Sequence, residues 1–470
     1  MHRMIWSAAV VLLIAGPAAA QPAGSPKQLT VQPAGETQPA LKYILLPEVR
    51  DLQPGNAALV YMRALSPEWW MGPVSRGEGW DAVEGWLEGP LAKMPRDKVQ
   101  AYLPRQSLEE IDRAARRESC DWEMLPRLRK DGIGTLVPDM GVMRKFGQLL
   151  ALRARLEMAD GRWGQAVYSF QTGLVMGRHI AETPTVLHSL VGLAVANSTV
   201  DQLVEFVQQP GAPSLYWALV SLPRPLIDIR RGLQGERMMV DVHFPELKTL
   251  EKKPLTPDEM ERLVTLSCNL YKGLFPEHTR PVEFSKKMEL LGKVLQRYPA
   301  ARKALLAQGR KAADLDALPM FQVVMIYHHQ EFRRLQDDYL KWAGLPYWQG
   351  HKALRKLAEE IGDVKQPQRD LWPFTEFLYD AGQVAWSSVR TERKIAALAC
   401  VEAVRLHVAA TGKVPAALAD ITAVPVPVDP VTGEPFHYRA MGNVVTLYGP
   451  PPGAEVDESK AIHYEITIKR

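Results

Sequence analysis

Two pairs of residues set one helical turn apart come nearest to a metal or acid–base site in this chain. His328 and Glu331 lie three residues apart with His329 between them, a spacing that puts the first two on one helix face. A zinc centre needs a third ligand of fixed geometry. No spacing in the chain nominates one, so the expectation is a partly buried helix face in an aromatic-rich segment. His179 and Glu182 repeat the spacing near the exit of another helix. The expectation there is a structural contact, or an imidazolium complementing the helix C-terminus.

Aromatic residues offer a different chemistry. Trp69, Trp70, Trp80 and Trp86 crowd one stretch together with Glu78, Asp81 and Glu84. Rings beside carboxylates can stack on a sugar and hydrogen-bond its hydroxyls, but the same composition also packs the junctions of short helices. Tyr216 and Trp217 form a further aromatic pair between two proline turns. These six aromatics are the candidate binding residues. No residue is nominated as catalytic or metal-binding, and no cofactor is implied. The G-x-S-x-G elbow, the P-loop, the dinucleotide fingerprint and H-E-x-x-H are all missing from the sequence.

Composition narrows the class further. Cys120, Cys268 and Cys400 fit no metal or haem spacing. Cys268 and Cys400 read as small apolar fillers of helices. A formal charge of +4 over 470 residues is too small for a general nucleic-acid binder, which carries a basic stripe.

The elements that must position these residues are mostly helical. Residues 146–209 read as three consecutive helices. Phe146, Leu149, Leu150, Leu152 and Leu156 give the first its apolar stripe. Ala166, Phe170, Gly173 and Gly177 give the second a stripe of mainly small residues, which allows close backbone approach. The third, with Thr183 as N-cap and Pro184 at the first helical position, is apolar on nearly every side and so should be buried all round. Its polar residues His188, Ser189, Asn197 and Ser198, and its short apolar run, exclude a membrane span of ~20 residues.

Gly161 at the turn, Trp163 after it, and Ala166 and Phe170 on the second helix resemble one tetratricopeptide-type hairpin over residues 146–182. Glu157 and Arg178 depart from that pattern, and no second copy follows. The resemblance implies an α-hairpin rather than a superhelical array.

At the N-terminus, His2 and Arg3 precede an apolar run, then Gly16, Pro17 and three alanines. This has the form of a secretory signal peptide over residues 1–20. Residues 21–40 are rich in proline, glycine and glutamine and are expected to be a disordered tether. A helical domain is expected over 41–370. Residues 371–470 should hold a long helix, 381–410, and a small α+β module with a β-hairpin around Met441-Gly442-Asn443 and a final alternating strand near 463–468.

Residues 395–448 resemble the globular end of type II secretion pseudopilins, through Thr411-Gly412-Lys413-Val414-Pro415, Leu418, Asp429-Pro430, Gly433, Pro435 and Tyr438. Some members of that family hold calcium near this region, where Asp429 and Glu434 offer oxygens. The family's N-terminal assembly helix has no counterpart here, so a filament subunit is not expected.

The fold class expected is therefore mainly α, an irregular bundle with a small C-terminal α+β module. The function expected is an exported, non-enzymatic scaffold of the periplasm or cell envelope. Its partner would be another envelope protein or a glycan, not nucleic acid, with membrane contact only through an uncleaved signal segment. The alternative is a carbohydrate binder or glycan-acting hydrolase built on the tryptophan-rich stretch.

Overall fold

The computed structural model describes residues 25–66, 79–132, 140–268, 282–368, 381–453 and 457–469. The expected signal segment 1–20 lies outside them. Three short strands and five helices come first in the chain: β1 (Lys27–Val31), β2 (Gln53–Asn56), α1 (Ala57–Ala64), α2 (Trp80–Glu88), α3 (Arg96–Tyr102), α4 (Arg105–Ala114), β3 (Arg117–Ser119) and α5 (Met124–Asp131). The centre is α6 (Met140–Ala159), α7 (Trp163–Ala181) and α8 (Val186–Phe206). Around it lie α9 (Tyr216–Val220), α10 (Arg230–His243), α11 (Pro257–Cys268), α12 (Phe284–Ala307), α13 (Ala312–Asp316), α14 (Met320–Ala343) and α15 (Tyr347–Gln368). The chain closes with α16 (Ala381–Thr411), β4 (His437–Met441), β5 (Val444–Gly449) and β6 (Ile462–Ile468). The protein is mainly α with a small C-terminal α+β module, as its patterning implies. No described helix is long and apolar enough to cross a membrane.

The small-residue stripe of α7 meets α8 at close range. A Cβ on Gly177 would sit 2.7 Å from the Gly192 carbonyl oxygen and 3.4 Å from Ala196 Cβ, and one on Gly173 would strike the Thr199 hydroxyl. Two backbones this close admit no side chain between them, which accounts for two glycines inside a helix despite their unfavourable propensity. Gly177→Val should therefore lower stability by about 1–3 kcal/mol, the usual range for overpacking. Gly164→Ala is the control: no atom lies within 4 Å of its Cβ position, and this exposed change should be neutral or stabilising. Urea midpoints of the two variants check the contrast.

Gly161 ends the α6–α7 turn with φ +68°, so the α-hairpin forms as its sequence implies. Glu157, the departure from the repeat pattern, accepts a 2.5 Å hydrogen bond from the Ser169 hydroxyl. Arg153 joins the same network through Ser169 and through both oxygens of Asp112. Glu157 is thus part of a polar brace between α4, α6 and α7.

The cap of α8 differs from expectation by two residues. Thr185, not Thr183, has extended backbone and accepts from the His188 amide at 3.2 Å. Pro184 therefore precedes the cap instead of opening the helix. A Thr-Pro-Thr sequence offers two hydroxyls, and the proline signal does not choose between them.

The larger correction concerns the tether. Lys27–Val31 is a strand that pairs in parallel with β6, at the edge of a four-stranded sheet of order β1-β6-β5-β4. Leu29 and Val31 are buried beneath it. The Thr30 amide donates to Gln208 Oε1, just beyond α8, at 3.3 Å, and Arg405 Nε donates to the Gln32 carbonyl at 2.8 Å. Two apolar residues cannot hold a strand alone, but β6 and α16 supply the rest of the surface it needs. One buried apolar cluster runs from Leu29 to Ile468 through both expected domains.

The C-terminal segment from α16 onward follows its sequence closely. The long helix spans 31 residues and ends before Gly412, at φ +70°. The hairpin turns at Gly442, φ +63°. Asp429 does not present a calcium site: its Oδ2 receives Nε and Nη2 of Arg393 at 3.1 and 2.5 Å, and Oδ1 the Val431 amide at 2.9 Å. The Glu434 carbonyl, not its carboxylate, meets Asp429, through the Asp429 amide at 2.8 Å.

Candidate functional site

β2 and β3 pair in parallel, and this short ladder brings the connector 120–123 against the start of α1 and the exit of α7. Asn56 secures the junction. Its Oδ1 accepts from the Ala58 amide, capping α1, and from the Asp121 amide at 2.8 Å, while its Nδ2 donates to the Asp121 carbonyl at 2.7 Å. Trp122 then stacks on Tyr61 with ring centres 5.7 Å apart and donates Nε1 to the His179 carbonyl at 2.9 Å. The Tyr61 hydroxyl and His179 Nδ1 share a hydrogen bond of 3.1 Å. The imidazole is thus held by Tyr61, while Trp122 braces both the Tyr61 ring and the His179 backbone.

In front of it opens a cleft of about 590 Å³, whose polar lining includes Arg117, Cys120, Asp121, Arg178, His179 and Glu182. That volume falls within the ~300–1,000 Å³ of small-ligand pockets. A smaller groove of about 150 Å³ adjoins it, lined by Leu59, Met62, Met124, Met140 and Met143 among others. The two share Asp121, Trp122 and Met124, so a polar chamber and an apolar one meet at the connector.

Burial decides the protonation of this site. It lowers His179 to about 4, with the neighbouring Arg178 charge adding to the shift. Burial also pushes the Cys120 thiol strongly upward, and Glu182 and Asp121 reinforce it. Near pH 7 both groups are neutral. A nucleophilic cysteine needs a thiolate stabilised by positive neighbours, and Cys120 has the opposite surroundings.

The predicted partners of His179 are rearranged. Glu182 is one turn away, but it ion-pairs with Arg231 of α10 at 2.5 Å. Neutral His179 makes its contact with Tyr61 and is no cation at the helix end. The other histidine cluster is dispersed along α14. Arg333 Nε donates to His329 Nε2 at 3.3 Å, and Glu331 pairs with Arg334 at 3.1 Å. His328 is buried, its ring 5.4 Å from that of Tyr327. Among the described residues no three His, Cys, Asp or Glu side chains gather where they could hold a metal.

The six aromatics nominated for binding do not form one surface. Trp69 and Trp70, with Glu78, lie outside the described residues. Trp80 is half-buried under Lys145, whose Nζ is 4.7 Å from the ring centre. Trp86 meets buried Tyr102 edge-on at 5.4 Å. Tyr216 is only 1% exposed, and its hydroxyl donates to the Pro425 carbonyl. It has no face for a ligand and serves as packing beneath α16. Trp217 donates Nε1 to Glu36 at 2.6 Å, fastening the N-terminal segment.

Tyr61 and Arg117 were missed by sequence reading. The only local cue was Asn56 after Pro54-Gly55, a capping residue that marks where α1 begins. The three cysteines are unpaired. Comparison with known protein families, curated proteins and solved structures finds no match to this chain.

Proposed function

We propose that the protein is an exported, non-enzymatic helical scaffold of the cell envelope, and that it binds its partner in the cleft between α1, β3 and α7. The supporting observation is the state of that cleft. Its floor is rigidly built from Asn56, Tyr61, Trp122 and His179, yet its histidine and thiol are held neutral by burial. A preorganised pocket with its reactive groups quenched suits recognition better than covalent chemistry. The tetratricopeptide-like α6–α7 hairpin serves as its frame.

The test uses a photoreactive amino acid in place of Glu118, an exposed residue at the cleft rim. In cells, the exported protein should crosslink to an envelope component, and Met62→Trp, which fills the adjoining groove, should abolish the adduct. Turnover of a glycan or peptide panel that disappears with His179→Gln would refute the non-enzymatic reading.

A further inference from the structure

The charge arrangement of the cleft says what kind of ligand it selects. Three acids reach it, Glu118, Asp121 and Glu182, and all three are exposed. Two of them have one carboxylate oxygen engaged: Glu182 holds Arg231 at 2.5 Å, and Asp121 Oδ1 takes the Glu123 amide at 2.8 Å. The arginines are placed differently. Arg117 and Arg178 are half-buried. Arg117 spends Nη1 on the Pro54 carbonyl at 2.6 Å, but its Nε is buried without an acceptor. Among the described residues, nothing hydrogen-bonds or ion-pairs with the Arg178 guanidinium.

Half-buried charge acts through a lower effective dielectric than exposed charge, so the arginines outweigh the rim acids in the interior of the cleft. A buried donor with no acceptor also calls for one, and a planar guanidinium is best met by a carboxylate. The apolar groove meets this chamber at Trp122. Leu59 and Met62 stand 65% and 47% exposed there, beside buried Met124 and Met143. Methionine side chains adapt to apolar groups of varied shape, and about 150 Å³ suits a short group.

We infer that the cleft binds a carboxylate carrying a short apolar group, with the carboxylate at Arg178 and Arg117 and the apolar group among the methionines. This deepens the proposed function and rests on the cleft being the binding site. Two sources share the chemistry: the C-terminus of a peptide ending in an aliphatic residue, and a free short-chain acid.

Calorimetric titration of the exported protein with three probes tests it. The probes are N-acetyl-Ala-Leu with a free carboxylate, the same peptide as its C-terminal amide, and octanoate. The free peptide or octanoate should bind at least about tenfold more tightly than the amide, the scale of one charge-assisted hydrogen bond. Arg178→Gln should erase that preference without shifting the melting temperature. Tighter binding of the free peptide identifies a protein C-terminus as the source, and tighter octanoate a free acid. Equal binding of amide and carboxylate, an unchanged preference in Arg178→Gln, or no binding of any probe at millimolar concentration overturns the proposal. None of these results touches the crosslinking test, which decides separately whether the cleft binds at all.

Discussion

Arg393→Ala should destabilise the protein by about 3–5 kcal/mol, because it strands a buried carboxylate without its counterion. Arg393 and Asp429 are 2% and 0% exposed. Besides Asp429, the guanidinium donates to the Lys460 carbonyl at 2.8 Å and to the Pro450 carbonyl at 2.5 Å. One side chain on α16 thus satisfies acceptors from three loops of the C-terminal module. Gly449 packs against the pair so tightly that a Cβ there would lie 2.5 Å from Arg393 Nη2 and 2.7 Å from Asp429 Oδ2. Asp429→Ala should cost a similar amount. The double change Arg393→Met with Asp429→Leu should cost much less than the two single losses together, since removing both charges also removes their desolvation. Urea denaturation of the four proteins gives the comparison. A single variant within about 1 kcal/mol of the parent, below the range for breaking a buried pair, would show that the charge finds water or another partner.

Where local pattern carried the information, the fold was legible. The long helix ended at Gly412 because Ala, Val and Leu recur along it and a glycine can take the left-handed conformation that stops it. The last strand was visible in the alternation of Ile462, Tyr464, Ile466 and Ile468, all buried on one face. The glycines of α7 implied close packing, and Gly192 and Thr199 are what they approach. β1 was hidden for a physical reason. Its alternation is only Leu29 and Val31 within a proline- and glutamine-rich stretch, and its partner strand starts at Ile462. A strand stabilised by a partner that distant has almost no local signature.

The cleft was legible only in fragments. His179 and Glu182 stood out by spacing, but a spacing shows which groups share a helix face and not which outside groups reach them. Arg231 took the carboxylate and Tyr61 the imidazole. The tryptophan-rich stretch drew attention because aromatics are conspicuous in a sequence. Trp80 and Trp86 go to packing against α6, Lys145 and Tyr102. The site itself depends on a two-strand contact between residues near 53 and 117, a tertiary event that no short window contains.

Acidification from pH 6.5 to 4 should then remove stability through two histidines, half-buried His179 and buried His188. His179 and His188 are both lowered to about 4, chiefly by desolvation, with Arg178 contributing at His179. His188 Nδ1 shares a 2.6 Å hydrogen bond with the Thr185 hydroxyl at the start of α8, so charging it also disturbs that cap. The unfolded chain takes up these protons near 6.5 and the folded chain only near 4. Between those values the unfolded state binds more protons, so stability falls as pH falls. Each histidine accounts for at most ~3 kcal/mol, fully lost only below pH 4. Above pH 7 this source contributes no slope. Half-buried Glu157 and Glu392 are raised and work in the opposite direction, taking up protons in the folded state first as pH falls. The histidine contribution is therefore best read as a difference. His179→Gln can keep a hydrogen bond to Tyr61, and it should roughly halve the histidine-driven loss between pH 6.5 and 4. Parallel stability profiles for the variant and the parent over that range would mean that water reaches the imidazole in the folded protein, and the quenched state argued for the cleft would fall with it.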